Sequence, residues 1–192
     1  MNFIELDNLP VYQLQNELEK LLSRDTVHFY EDKGGTAQIC LNSVAGQEDD
    51  YHFGRGSLYW DWDKSYVSDS GEVVAPVKET VYEESDFNKL CSQFKNTLFE
   101  DVYVELDKKY HLGRTRIMKS KPRTCLSWHT DYTPRIHFPM QTHEGCFMVI
   151  DNEIKHLEQE KWYYTNTTVP HTAFNSSSSP RTHLVATIIG ER

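Results

Sequence analysis

No stretch of this 192-residue sequence is long and apolar enough to span a bilayer, so no membrane partner is expected. The opening residues, MNFIELDNLP, have no basic region followed by an apolar core. A secretory leader is therefore not expected, and a cytoplasmic location is. Positive charge is scarce: 20 Lys and Arg stand against 29 Asp and Glu, for a net charge of −9. The basic residues gather only in the short Lys119-Ser-Lys121-Pro-Arg123 stretch, and a net field of this sign repels phosphates, which disfavours nucleic acid as a partner. Cys40, Cys91, Cys125 and Cys146 form no Cys-x-x-Cys pair. That argues against a structural zinc site and supplies no disulfide framework, so buried free thiols are expected. No internal repeat is visible.

What is present fits a folded chain: 38% hydrophobic and 26% charged residues. This length can bury one sizeable core, so a single domain over 1–192 is expected, with a helical N-terminal part, 1–113, and most of a β-rich core in 114–192. Val11, Leu14, Leu18, Leu21 and Leu22 predict a helix over Pro10–Arg24, with Asn8 as its cap. Phe87, Leu90, Cys91, Phe94 and Leu98 predict a second, behind Ser85, and Val102, Leu106 and Tyr110 a third running to Gly113. Thr36–Val44 reads as a strand. Gln47–Gly71, with Tyr59-Trp-Asp-Trp-Asp63, reads as a long connection whose aromatics pack it onto the core, with a substrate lid of exposed aromatics as the alternative reading. After Gly113 come short β-rich runs at Arg114–Lys119, Thr124–Trp128, Arg135–Met140, Cys146–Ile150, Trp162–Tyr164, Thr168–Ala173 and Thr182–Ile189. Many short strands at close spacing favour a jelly-roll barrel or sandwich with the helices packed outside.

Within that half, His129-Thr-Asp131 follows an apolar run, so its two side chains point to one face near a strand end and can share a metal. With nine histidines in the chain, one His-x-Asp carries little weight alone. Val169-Pro-His171 supplies a third ligand, and Arg181 opens the next strand. Two imidazoles and one carboxylate leave positions open on Fe(II), although tetrahedral zinc also uses such donors. Arg181 favours iron, because a dicarboxylate co-substrate needs a permanently charged fork at its far end.

The order His129-x-Asp131, His171, Arg181 resembles the 2-oxoglutarate-dependent dioxygenases of the double-stranded β-helix (jelly-roll, cupin-like) fold. Arg114-Thr-Arg116-Ile-Met118, Arg135-Ile-His-Phe-Pro139, Trp162 and His171-x-x-x-Asn175 are similar to the aspartyl/asparaginyl β-hydroxylase branch, which includes proline hydroxylases. The resemblance covers roughly Arg114–Ile189. It implies a mainly β fold with flanking helices, and Fe(II), 2-oxoglutarate and O2 as cofactor and co-substrates. It also implies His129, Asp131 and His171 as metal ligands, Arg181 on the far carboxylate of 2-oxoglutarate, and Arg135 and His137 near the metal-side carboxylate. Arg116 stands where the family places a serine, and can instead reach a substrate carboxylate. The retained Asp131 separates the chain from the β-hydroxylase proper, which lacks that ligand, and from halogenases, which have a small residue there.

The implied activity is hydroxylation of an unactivated C–H bond of a free amino acid or similar small polar substrate, with succinate and CO2 as co-products. The rivals are a peptide or protein side-chain hydroxylase and a non-catalytic jelly-roll binding module. For His137 a neutral core histidine, and for Arg135 a structural ion pair, are the competing readings. His143-Glu144 reads as a loop pair rather than a second metal site, and Trp162 and Asn175 as supports of the fold.

Overall fold

The computed structural model describes residues 1–31 and 36–192. Along the chain lie β1 (Phe3–Glu5), α1 (Leu14–Ser23), β2 (Tyr30–Glu31), β3 (Thr36–Cys40), β4 (Asn42–Ser43), β5 (Tyr66–Val67), β6 (Val73–Val74) and β7 (Lys89–Leu90). These are followed by α2 (Leu98–Asp107), β8 (Tyr110–Ser120), β9 (Thr124–Cys125), β10 (Arg135–Gln141), β11 (Cys146–Ile150), β12 (Glu153–Lys155), β13 (Tyr163–Thr165), β14 (His171–Asn175) and β15 (Arg181–Glu191). A seven-stranded sheet runs β1-β13-β10-β15-β8-β3-β2, and a four-stranded sheet runs β12-β11-β14-β9. From β8 onward the chain passes back and forth between the two sheets. This is the jelly-roll architecture, mainly β with flanking helices.

Strand alternation gives the large sheet two opposite characters. Ile136 and Phe138 of β10, Leu184 and Ala186 of β15, Ile117 of β8 and Ile39 of β3 fall on one face, fully or almost fully buried. They join one apolar cluster with Leu14, Leu18 and Leu21 of α1 and Phe99, Val102 and Leu106 of α2. Both helices are amphipathic and lie over this face. One residue out of phase, the other face carries Arg135 and His137, Arg181 and His183, Arg116 and Ser120, and Gln38. A smaller cluster of Phe3, Met148, Ile150, Leu157, Tyr163 and Ala173 joins the two sheets beside this polar interior.

Local chemistry explains where elements start and stop. The Thr97 hydroxyl caps α2 by accepting from Phe99 N, at 3.2 Å, and Glu100 and Asp101 meet the positive helix end. α1 begins at Leu14 rather than near Pro10, because the Pro10 carbonyl accepts from the Trp162 indole at 2.8 Å, tying the preceding segment to the sheet edge. Pro139 sits in β10 where the register with β15 shifts, a place where its missing N–H is tolerated.

The helix expected through Phe87–Leu98 does not form. Cys91 N donates to Leu41 O at 2.7 Å and Ser92 N to Glu48 O at 2.9 Å, so this backbone bonds to its neighbours rather than to itself. Single 3₁₀ turns at Glu84–Asp86 and Ser92–Phe94 flank β7, which pairs with β4. Phe87, Cys91 and Phe94 are buried all the same, which is why their spacing mimics a helical stripe. The third expected helix is α2; it ends at Asp107, and Tyr110–Gly113 already belong to β8. Cys40, Cys91 and Cys146 are buried free thiols, whereas Cys125 is exposed.

Candidate active site

His129, Asp131 and His171 converge although they come from different elements. His171 opens β14, while His129 and Asp131 lie beyond β9. Paired backbone hydrogen bonds join them: His129 N donates to His171 O at 3.1 Å, and His171 N to His129 O at 2.9 Å. Asp131 N donates to Thr167 O at 2.9 Å, which fixes the carboxylate beside the two rings. One donor atom from each of the three lies within 4.8 Å of the others, the sole such group among the described residues.

The surroundings set which atoms face inward. The Nδ1–H of His129 donates to Ser127 O at 2.8 Å, and that of His171 to Val169 O at 3.0 Å. Both rings therefore keep Nε2 as a lone-pair donor, the arrangement that orients metal-bound imidazoles. Arg135 Nη2 lies 2.7 Å from Asp131 Oδ1, leaving Oδ2 buried and 3.4 Å from His171 Nε2. Burial works against the Asp131 charge, but the nearby His171 ring and the Arg135 guanidinium outweigh it and hold the carboxyl well below the usual range. Two imidazole nitrogens and an ionised carboxylate on one side of a common point fit Fe(II) with open positions opposite.

The polar face of the large sheet continues from this trio as a buried wall of donors. Arg181 is buried, its Nη2 donates to Ser120 Oγ at 3.4 Å, and its Nε has no partner. His137 and His183 meet through Nδ1 at 3.4 Å; burial, and for each a neighbouring arginine, pushes both well below the ordinary histidine value, so both are neutral. Their Nε2 atoms are buried without partners. Arg114 is saturated: Glu84 meets its Nη2 at 2.8 Å, and Gly54 O and Gly56 O accept from Nη1 at 2.8 and 2.7 Å. Arg116 is not. It is only 3% exposed, reaches Gln38 Oε1 at 3.1 Å and Gly56 O at 3.5 Å, and keeps an unpartnered Nε. Burial, then Arg114 and Arg135, push it down to about 9.

The structure thus gathers Arg135, Arg116, Arg181 and His137 on one face of the large sheet, with His129, Asp131 and His171 alongside through the Arg135–Asp131 pair. Sequence reasoning missed Ser120, His183, Gln38 and the Glu84–Arg114 pair. Ser120 and His183 had a signal: Arg114, Arg116, Met118 and Ser120 alternate along one strand, and His183 lies two residues after Arg181. Glu84 had none, being 30 residues from its partner in an irregular segment. His143 and Glu144 lie in the turn between β10 and β11, outside the trio, as expected of a loop pair. Trp162 and Asn175 support the fold, the latter through Nδ2 donating to Ser179 O at 2.8 Å and Lys121 O at 3.2 Å.

Beside this wall lies a cavity of about 820 Å³ whose lining includes Gln38, Gly56, Tyr30, Arg55, Trp60 and Trp62. Arg55 lies over the Tyr30 ring at 3.4 Å and bonds Asp63 at 3.0 Å. The expectation that aromatics of 47–71 pack this connection onto the core holds for Tyr51, which packs against the main cluster, but fails for Trp60 and Trp62. These two are 44% and 51% exposed.

Comparison with known proteins agrees with this geometry. An L-proline cis-4-hydroxylase of Rhizobium meliloti (strain 1021) is 29% identical over 77 residues, 37% of this chain and 28% of the relative's length. The chain therefore spans well under two thirds of that relative. The solved structure of an oxidoreductase of the 2OG-Fe(II) oxygenase family from Burkholderia pseudomallei shares the fold, with a TM-score of 0.51 at 12% identity over 97% of this chain and 83% of that one. A model of the family described as aspartyl/asparaginyl beta-hydroxylase matches residues 11–190, and with nearly its whole length matched, the chain belongs to that family.

Proposed function

We propose that the protein is an Fe(II)- and 2-oxoglutarate-dependent dioxygenase that hydroxylates a free amino acid or similar small polar molecule, releasing succinate and CO2. The carrying observation is the His129, Asp131 and His171 trio, whose imidazoles are oriented by backbone carbonyls and whose carboxylate is held ionised by Arg135. Family membership and the named hydroxylase relative support the reading. Together, Fe(II), 2-oxoglutarate and O2 supply the oxidising power that breaks an unactivated C–H bond.

The chain's own residues supply binding and orientation. His129, Asp131 and His171 hold the metal on one side. Arg181, steadied by Ser120, takes the far carboxylate of 2-oxoglutarate through its planar fork. Arg135 orients Asp131 and keeps a buried, unpartnered Nε for the metal-side carboxylate, with His137 Nε2 as a second polar contact. The apolar cluster at β1, β11 and β13 closes the space between the sheets and excludes water on that side.

The test is succinate formation by metal-stripped protein supplied with Fe(II), 2-oxoglutarate and oxygen, across a panel of amino acids and short peptides. Iron-dependent turnover stimulated by free amino acids is expected. Stimulation by peptides alone would move the substrate to a side chain within a polymer. No turnover together with no metal-dependent 2-oxoglutarate binding would leave a non-catalytic jelly-roll module.

A further inference from the structure

The interior cations have unequal claims on anions. Glu84 answers Arg114, and Asp131 answers Arg135. Under the proposed function one carboxylate of 2-oxoglutarate answers Arg181. Arg116 is left: buried, held by an amide oxygen and a carbonyl, with no carboxylate in contact among the described residues. A buried guanidinium without a counter-charge is expensive, and a ligand carboxylate is the natural way to offset it.

The position of Arg116 says where that ligand comes from. Gln38 and Gly56, its two partners, also line the 820 Å³ cavity, so the guanidinium lies directly behind that part of the cavity wall. Gly56 has φ +67, a left-handed conformation favouring glycine, and its carbonyl accepts from both Arg114 and Arg116. Gly54 is equally constrained, since a Cβ there would lie 2.9 Å from the Phe87 ring. The two guanidiniums thus pin the 54–56 loop, and the chain beyond it brings Trp60 and Trp62 into the cavity lining. The volume falls in the upper part of the roughly 300–1,000 Å³ range of sites for drug-sized ligands, well beyond a bare five-carbon amino acid. Half-exposed indoles, together with the Tyr30 ring, offer flat apolar area of the kind that binds large apolar groups.

We infer that this cavity is the substrate subsite and takes an amino-acid-type carboxylate bearing a large apolar or aromatic group, the carboxylate on Arg116 and the apolar group against Trp60 and Trp62. Arg116 and His137 lie two strands apart in one row across β8, β15 and β10, about 10 Å at ~4.8 Å per strand, so the bound molecule spans from the cavity toward the metal trio. The inference rests on the proposed function and narrows its substrate.

The experiment is calorimetric titration of the protein holding Fe(II) and 2-oxoglutarate without oxygen. The probes are L-alanine, L-proline, L-phenylalanine, N-acetyl-L-leucine and L-phenylalaninamide. L-phenylalanine and N-acetyl-L-leucine are expected to bind at least tenfold tighter than L-alanine and L-proline. The double variant Trp60→Ala with Trp62→Ala should lose most of that advantage while its 2-oxoglutarate affinity stays unchanged. Arg116→Met should weaken L-phenylalanine at least tenfold and leave the weak binding of L-phenylalaninamide unaltered. L-proline binding as well as L-phenylalanine would overturn the inference. So would an advantage that survives in the double variant, or failure of every large carboxylate to bind a protein that still binds 2-oxoglutarate. If 2-oxoglutarate itself shows no metal-dependent binding, the functional reading falls and this inference falls with it.

Discussion

Asp131 divides its carboxylate between two neighbours: Oδ1 lies 2.7 Å from Arg135 Nη2, while Oδ2 lies 3.4 Å from His171 Nε2 and has no hydrogen-bond partner. One oxygen anchors the side chain, and the other is free to bind a metal. Burial works against the charge, and the neighbouring Arg135 guanidinium helps keep the group an anionic donor.

His171→Ala removes one of three donors, and iron-dependent succinate formation should vanish. Arg135→Met leaves the donors in place but unanchors Asp131, and loss of such a supporting contact typically costs about 10–100-fold in metal affinity or activity. Titration with Mn(II) in the presence of 2-oxoglutarate would read both, and unchanged affinity in either variant would contradict its assigned role.

Arg181→Ala should weaken 2-oxoglutarate by about 2–5 kcal/mol, the usual loss when one partner of a buried charge pair is truncated. Ser120→Ala removes a single long hydrogen bond, expected to contribute roughly 0.5–1.5 kcal/mol. The KM for 2-oxoglutarate, measured at saturating substrate, separates the two. An Arg181 variant with an unaltered KM would place the co-substrate elsewhere.

The Glu84–Arg114 pair should give stability an acid limb. Burial opposes the Glu84 charge, yet the hydrogen bonds and charge of Arg114 outweigh it, so the folded value lies below the ordinary 4.5. A depressed carboxylate contributes fully above its unfolded value, and that contribution is lost as pH falls through the folded one. Glu84→Gln should destabilise at neutral pH, toward the low end of the roughly 3–5 kcal/mol seen when a buried pair is broken, because Glu84 retains 19% exposure. It should also flatten the decline in unfolding free energy below pH 4.5. Denaturant melts of both proteins from pH 3 to 7 would show it, and parallel curves would remove Glu84 from the account.

Phe99→Ala empties a fully buried position between α2 and the large sheet. A loss of about 3–5 kcal/mol is expected for such a cavity. Since α2 covers the face opposite the cations, turnover well below the unfolding transition should change little. A large drop in turnover there would mean that the two faces are coupled.

Period two was the most readable signal in the sequence. It placed His129 and Asp131 on one side, separated Arg135 and His137 from Ile136 and Phe138, and located most strands within a few residues. Helical spacing was less dependable: Leu14, Leu18 and Leu21 mark a real helix, whereas Phe87, Cys91 and Phe94 are buried from turns. Both patterns report burial, and only the backbone partners, here Leu41 and Glu48, distinguish them. Glu84 was out of reach for a related reason, and for the half-exposed Trp60 and Trp62 the sequence left packing onto the core and a substrate lid both open. Their roles depend on contacts between irregular segments, which leave no periodicity.

The opposed faces of the large sheet have a consequence for how the chain finds its fold. A slip of β15 by one residue against β8 would turn Arg181 and His183 toward α1 and α2 and drop Leu184 and Ala186 among guanidiniums. The misplaced guanidinium and imidazole would sit in an apolar layer without partners, a penalty of several kcal/mol for the cation alone. Shifted pairings are thereby made too costly to persist, and the side chains that ready the interior for chemistry also act as a proofreading code for strand alignment.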